Sequence, residues 1–396
     1  MNSTWLTRKI AELPIDIIDG DRSKRYPKRS EFQDSGIPFL NSTNIDNGRL
    51  DLGQLNFISP EKYAQIKKGR LRPMDIIMTT RGSIGKVVLF NDPQYTQGLI
   101  NAQMLVIRAD GEVIDQEFLF FYLCSDIFQK LVSNFASGSA QPQIPIRDLQ
   151  DIPVVYPSLP TQRKIAAILS AYDDLIENNT RRIALLERMA QLLYREWFVR
   201  FRFPGHASVR MVASALGEIP EGWEVVKLGD VIELAYGKGL RRKDRIQGAY
   251  PVYGSSGIID YHNEPLVEGP GIIVGRKGNV GSVFWSDAGF YPIDTVFYVV
   301  TNVNLRYVFY NLQAQNFLST DTAVPGLSRN QAYLQPFLLP EEAMMQKFEY
   351  FVKPIFDQAH NLTERNEVLR RTRDLLLPRL ISGEVDVAEL AIGGLE

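Results

Sequence analysis

Two stretches of the chain concentrate positive charge. Residues 22–29 read RSKRYPKR, with five bases and no acid, and residues 238–245 read KGLRRKDR, with five bases and one acid. Side chains at that density can neutralise phosphates. Lys24, Arg25, Lys28 and Arg29 in the first run, and Arg241, Arg242 and Lys243 in the second, are therefore candidate nucleic-acid contacts. Either run taken alone fits a solvated loop as well. Two glycine-bearing turns offer further chemistry. RGSIG (81–85) and RKGNVG (276–281) hold glycines that allow positive φ, and successive amides there can cradle a phosphate beside Arg81 and Ser83 or Lys277 and Asn279. A plain hairpin turn explains the same glycines. The polar loops NSTN (41–44), SGSAQPQ (137–143), GSSG (254–257) and LSRNQ (327–331) bring Ser42, Gln141, Ser255 and Arg329 as candidates for base edges or phosphates. Such residues are equally normal in surface turns.

Catalytic chemistry lacks its residues. His206, His262, His360 and the single Cys124 are scattered without metal-ligand spacing, so no metal site is expected. No GxSxG elbow is present, and YGKGLRRK lacks the Walker A spacing. NDPQY (91–95) is close to the (N/D)PP(Y/F) loop with which amino-methyltransferases grip a flipped base. Gln94 stands where the second proline belongs, however, and no glycine-rich cofactor loop follows a strand upstream. It reads as a turn after a strand. One cysteine excludes an internal disulfide and suits a reducing compartment. No apolar run approaches the ~20 residues of a membrane span, and MNSTWLTRKIAEL lacks the apolar stretch of a secretory signal. A cytoplasmic protein without a membrane partner is expected. The net charge of −2 alone would not favour nucleic acid.

The basic runs gain weight from their places in a repeat. WLTRKIAEL (5–13) aligns with WEVVKLGDV (223–231), and GIPFLNST (36–43) with AYPVYGSS (249–256). DIIMTTRGSIGKVVLFN (75–91) pairs with GIIVGRKGNVGSVFWSD (271–287), and QPQIPIRDLQDIPVVYP (141–157) with VPGLSRNQAYLQPFLLP (324–340). Strand-like and helix-like pieces match while the loops differ, so one fold is used twice with different loops.

Each copy is followed by a long helix. Ile165, Leu169, Tyr172, Ile176, Asn179, Ile183, Leu186, Ala190, Leu193 and Trp197 recur in alternating steps of four and three, an apolar seam with one amide in it. The repeat maps this seam onto Phe348, Val352, Ile355, Ala359, Leu362, Asn366, Leu369, Arg373, Leu376 and Leu380. Pro354 should disturb the second helix and Pro378 should end it, leaving Ile355–Leu376 as its secure stretch. A two-fold repeat favours antiparallel pairing, because the pseudo-dyad exchanges the helices. Symmetric overlap then sets Asn179 opposite Asn366 and Ile183 opposite Leu362, and the two amides would fix the register. Two unrelated, solvated asparagines are the plainer reading. Tyr194, Trp197, Phe198, Phe201 and Phe203 exceed what one seam needs. They either pack on an adjoining domain or receive another subunit, which makes Trp197, Phe198 and Phe201 candidate partner contacts.

The fold class expected is mixed α/β (α+β), with two repeated globular domains separated by two long helices in an antiparallel, pseudo-two-fold coiled coil. Residues 1–157 form the first domain, with strands in DIIMTT, KVVLF and AQMLVI and a helix within Gln116–Phe135. Residues 158–202 hold the first long helix, from an N-cap near Thr161 to Phe201. Residues 203–222 read as a linker and 223–340 as the second domain. The second long helix lies in 341–383, and 384–396 form an acidic, frayed tail.

This order resembles the specificity subunit of type I restriction-modification enzymes. The likeness covers nearly the whole chain and is carried by DIIMTTRGSIGKVVLF, by QIPIRDLQDIPVVYPSLPTQRKIAAILSAYDDLIENNTRRIALLERMAQLLYREWF, by LGEIPEGWEVVKLGDV and by RDLLLPRLISGEVDV. The second copy departs where PEEAMMQKFEYFVKPIF replaces the usual P-x-x-x-Q phrase. The resemblance implies a non-catalytic subunit in which each globular target-recognition domain reads half of a split double-stranded DNA site and the helix pair spaces them. It implies two methyltransferase subunits that add S-adenosylmethionine chemistry, and restriction subunits that use ATP and Mg, with no cofactor in this chain. A coiled-coil scaffold without DNA recognition and a fused methyltransferase or nuclease are the other classes. Basic runs at matching places speak against the first, and absent cofactor motifs against the second.

Overall fold

Continuous apolar runs form the central strands, because both faces of the sheet they build are covered. The computed structural model describes residues 5–46, 48–53, 55–135, 143–317 and 326–392. Its chain divides into two units, Met1–Glu177 with Glu367–Glu396, and Asn178–Asn366. In the first unit, strands Ile15–Asp19, Met104–Ala109, Asp75–Thr79 and Val87–Phe90 lie side by side in that order, all antiparallel. Successive side chains alternate faces. Ile76 and Met78 pack toward Phe118, Tyr122 and Phe128 of the helices Gln116–Cys124 and Asp126–Phe135. Ile77, between them, packs toward Leu40, Leu71 and Ile100 of a second sheet. That sheet has the order Asn56–Ile58, Ile37–Leu40, Gly98–Ile100, Arg70–Leu71, with its middle pair parallel. The single helix expected within Gln116–Phe135 is two, broken at Ser125, whose hydroxyl donates to the Tyr122 carbonyl at 2.6 Å.

The second unit repeats the topology. Strands Ile232–Tyr236, Val296–Thr301, Gly271–Gly275 and Val283–Ser286 follow the same antiparallel order. Ile272 and Val274 face one core and Ile273 another. Here too the second sheet holds a parallel pair, Tyr250–Gly254 with Tyr291–Pro292. In both units the opening strand pairs antiparallel with the strand before the long helix, Leu6–Lys9 with Pro153–Tyr156 and Glu224–Lys227 with Pro336–Leu339.

The first long helix spans Leu159–Tyr194 and continues as a wider turn over Arg195–Val199, where the Arg200 amide donates to the Arg195 carbonyl at 2.9 Å. It starts before Thr161, with Ser158 accepting from the Gln162 amide at 3.0 Å. The Gln162 side chain, fully buried, ties that start to the domain: it accepts from the Asp115 amide at 2.8 Å and donates to the Val113 and Pro157 carbonyls at 3.0 and 2.9 Å. In the second copy buried Met345 takes the matching place, an apolar solution to the same junction.

The second long helix runs unbroken over Glu342–Ile381, through both prolines. A proline inside a helix costs about 3 kcal/mol, partly from a freed carbonyl. That carbonyl belongs to Tyr350 for Pro354, a residue 76% exposed, so water can take it. Buried Phe348 and Val352 on the other face hold the turn in place. Pro378 frees the Asp374 carbonyl close to the helix end, where few turns remain to be broken.

All ten seam positions on each helix are buried or half-buried. Within the second unit the Asn179 amide donates to the Asn366 side-chain oxygen at 3.0 Å, and Asn366 donates to the Thr180 hydroxyl at 3.3 Å. Trp197, further along the first helix, packs on Phe348 and Phe351, earlier on the second, so the segments run in opposite directions. Asn366 is 2% exposed, and an amide left there without Asn179 loses a bond that water cannot replace. Asn179→Leu should lower stability by about 1–3 kcal/mol, and adding Asn366→Leu should recover most of the loss. Urea unfolding of the three proteins checks this, and a single variant as stable as the parent would show that the amides contribute nothing net.

Within the first unit Arg373 at a seam position pairs with Asp173. Burial, then the neighbouring Arg370, lowers the Arg49 pKa below its ordinary value, while Asp173 and Glu177 oppose the shift. Two expectations about connections fail. Residues 203–222 are not a bare linker, since they hold the hairpin Met211–Ser214 with Gly217–Pro220 and bury Phe203 and Ile219 beside Trp223. The tail is anchored at two points within its described part. Val387 is buried, and Lys164 donates to the Ala388 carbonyl at 2.5 Å. No helix among the described residues is long and apolar enough to cross a membrane.

Candidate nucleic-acid interface

In the first unit the loop carrying the basic run leaves from the end of strand Ile15–Asp19. Lys24, Arg25, Lys28 and Arg29 are all exposed there. Arg25 donates to the Gln65 carbonyl at 3.3 Å, and the Lys28 backbone amide is held by Glu31 at 2.8 Å. The side chains of Lys24, Lys28 and Arg29 make no ion pair among the described residues. Arg22 is different: its Nη2 donates to Asp19 and to the Ala102 carbonyl, each at 3.2 Å. The Ser42 turn sits against the same rim, because Asn101 donates to the Asn41 side chain at 3.3 Å. Hairpin residue Thr80 donates its amide to the Gln103 carbonyl at 2.8 Å, and Arg81 bridges Gln143. The fold therefore gathers Arg22, Ser42, Arg81 and Ser83 where the strands end. Gln141 lies outside the described residues.

In the second unit the GSSG turn meets the RKGNVG hairpin. Ser282 donates to the carbonyls of Ser255 and Asn279 at 2.7 and 2.9 Å, and the hairpin brings exposed Lys277 to the same place. Arg276 and Arg329 stack on the Tyr236 ring, with guanidinium carbons 4.9 and 5.0 Å from its centroid. Tyr236 is 51% exposed. Neither Tyr236 nor Arg276 stands out in the sequence. An aromatic closing the strand before a basic run was the available signal.

Several groups are committed elsewhere. Arg241 pairs with Asp244 at 2.6 Å, and half-buried Arg245 pairs with Asp260 at 3.1 Å. The Tyr261 amide, then Arg245, hold the Asp260 carboxyl below the usual carboxylate range. Of that run, Lys238, Arg242 and Lys243 remain exposed and unpaired among the described residues. Both glycine turns are hairpins whose later amides are used internally: Ile84 and Gly85 donate to Gly82 and Thr79 at 3.0 Å, while Val280 and Gly281 donate to Gly278 and Gly275 at 2.9 Å. The amides of Gly82 and Ser83, and of Gly278 and Asn279, make no hydrogen bond among the described residues, so two consecutive donors stay open in each copy. NDPQY is a turn in which Asp92 accepts from the Gln94 amide at 2.8 Å.

The aromatic cluster goes to the adjoining domain. Trp197 and Phe198 are 5% and 3% exposed, with Phe198 against Tyr307 and Trp223, and Phe201 is half-buried beside Trp223. Trp197 and Phe198 thus have no free face for another subunit, because their apolar surface is spent inside the unit. Other apolar side chains on the helices of this unit are exposed instead. Leu185, Met189, Pro354 and Ile355 line an open groove edged by Arg182 and Gln358, and Tyr350 and Phe351 project nearby on the second helix. Burial pushes the Cys124 thiol up to about 12, so it is no thiolate at neutral pH. The described residues contain no group of three His, Cys, Asp or Glu able to hold a metal.

Fold and rim together define a class: a duplicated α/β binding module with long helices. The model of the type I restriction modification DNA specificity domain matches residues 2–188 and 220–342. The chain belongs to that family, whose members are recognition subunits distinct from the methyltransferase and restriction subunits. It is 26% identical to the type I restriction enzyme MjaIX specificity subunit of Methanocaldococcus jannaschii, over 98% of this chain and 94% of that protein. It is 21% identical to the HindI specificity subunit of Haemophilus influenzae, over 92% and 98%. In fold it is similar to the type I restriction-modification S subunit of M. genitalium, with a TM-score of 0.60, 18% identity, and 96% and 97% of the two chains covered.

Proposed function

We propose that each globular copy recognises one half of a bipartite DNA site, residues 1–157 one half and 223–340 the other. The helices of 158–202 and 341–383 pair as an antiparallel, pseudo-two-fold coiled coil that sets the gap, with Asn179 and Asn366 fixing its register. The observation that carries this reading is one sheet order, present twice, ending in rims of different side chains. Two methyltransferase subunits dock on the helices, for which the apolar side chains Leu185, Met189 and Tyr350 are suited, and they supply the S-adenosylmethionine chemistry. Restriction subunits, where the system has them, add ATP- and Mg-dependent translocation and cleavage. The protein works in the cytoplasm, where its DNA is.

Co-expression with the cognate methyltransferase subunit, followed by methylome sequencing, tests the reading. The pair should methylate a split motif, and either chain alone should methylate none. A continuous motif would overturn it. Contacts of exposed bases with phosphate predict a salt signature as well. Arg242→Ala with Lys243→Ala should reduce the slope of log K against log salt by roughly two units in the assembled complex, since each phosphate contact contributes about 0.9. An unchanged slope in a salt titration of DNA binding would return this run to a solvated loop.

A further inference from the structure

Both units hold an arginine at the same place in the fold, but they leave different parts of it free. In the second unit the place is the end of strand Ile232–Tyr236, beside the segment that enters strand Val296–Thr301. The Arg276 backbone is fixed there: its amide donates to the Thr295 carbonyl at 2.9 Å and its own carbonyl accepts from Leu327 at 2.8 Å. The side chain is fixed too. Nη1 donates to the Asp294 carbonyl at 2.9 Å, and the guanidinium lies 4.9 Å from the Tyr236 centroid, within cation–π range. Nε and Nη2 make no hydrogen bond among the described residues. Their two N–H bonds are parallel and form one of the forks that a guanidinium presents to paired acceptors.

In the first unit Asp19 ends the matching strand, and Ala102 precedes Gln103, whose carbonyl accepts the hairpin amide as that of Thr295 does. Arg22 is held by these two residues through Nη2 alone. Both forks of a guanidinium need Nη2, so Arg22 keeps only single donors.

The geometry points to Arg276 as a base-reading residue that takes guanine, through its O6 and N7 acceptors, in the half-site of the second domain, with Arg22 as a phosphate contact in the first. This rests on the half-site reading above. A guanidinium frozen before binding loses little freedom on contact, and its fork matches the major-groove edge of guanine and of no other base. Tyr236 is the positioning residue, acting through Arg276. Lysine at 276 would keep the charge and lose the fork.

Methylome sequencing of complexes carrying Arg276→Ala, Arg276→Lys, Tyr236→Ala or Arg22→Ala tests the assignment, paired with binding to duplexes that differ at one base pair of the motif. Arg276→Ala and Arg276→Lys should each relax one G·C position of one half-site, erasing a preference of roughly 5- to 150-fold. Arg276→Lys should keep the salt slope of the parent, and Tyr236→Ala should relax the same position. Arg22→Ala should leave the motif unchanged and lower the slope by about one unit. An unchanged motif with Arg276→Lys, or a base relaxed by Arg22→Ala, overturns the assignment. If the relaxed position falls in the half-site that follows residues 1–157 in a domain exchange, the half-site reading fails while Arg276 stands as a base reader.

Discussion

Exchanging residues 1–157 for the corresponding domain of a relative should replace one half of the methylated motif and leave the other half and the gap unchanged. The physical reason lies in how each unit separates scaffold from rim. Ile76, Met78, Leu105 and Ile107 face the helices, and Ile77 and Val106 face the second sheet, so core packing consumes the strands themselves. The side chains proposed to meet DNA sit where strands end, on Arg22, Ser42, Arg81 and Ser83, and can change without disturbing that core. Two mismatched base pairs cost about 2–6 kcal/mol, enough to silence the old half-site. The junction is constrained by Gln162, whose side chain bonds to Asp115, Val113 and Pro157, so Gln162 should be kept and the donor should end in a proline at the place of Pro157. Methylome sequencing of the chimaera decides the matter. Both halves changing together, or neither, would sink the one-domain-per-half-site assignment.

One heptad added to each long helix should widen the gap between half-sites by about three base pairs and leave the half-sites unchanged. Asn179 is hydrogen-bonded to Asn366, and a register continued from that pair places Ile183 opposite Leu362. Insertions after Ile183 and before Leu362 therefore face each other and preserve the seam on both sides. Seven residues lengthen a helix by about 10 Å at 1.5 Å each, and base pairs rise about 3.4 Å. Four residues added to one helix alone should instead break the seam, strand an amide against leucine, and lower stability by about 1–3 kcal/mol. The assay is again the methylome, and an unchanged gap in a folded, active complex would mean that the helices do not set the spacing.

Whatever is written in local or regular order could be read from the chain before it folds. The repeat was legible because core strands need apolar residues on both faces, so DIIMTT and GIIVG align although their loops do not. The seam was legible because its four-three steps follow helical geometry, and all twenty of its positions are buried or half-buried. Proline rules misjudged the second helix. They count the lost hydrogen bond and not the packing of Phe348 and Val352, which comes from other parts of the unit.

Tertiary structure alone decided which charges and rings are free. Arg241 and Arg245 look like their neighbours in KGLRRKDR until folding brings Asp260 to Arg245 and a tight turn brings Asp244 to Arg241. Trp197 and Phe198 could have served a partner until Trp223, Tyr307 and Phe348 covered them. Arg22 and Arg276 lie in the stretches RSKRYPKR and RKGNVG, yet nothing in the sequence sets them apart from the bases beside them, because what distinguishes them is a carbonyl about eighty residues from one and eighteen from the other. Composition and spacing report side chains along the chain, whereas the donors left open on a guanidinium depend on acceptors that only the closed sheet brings within 3.2 Å.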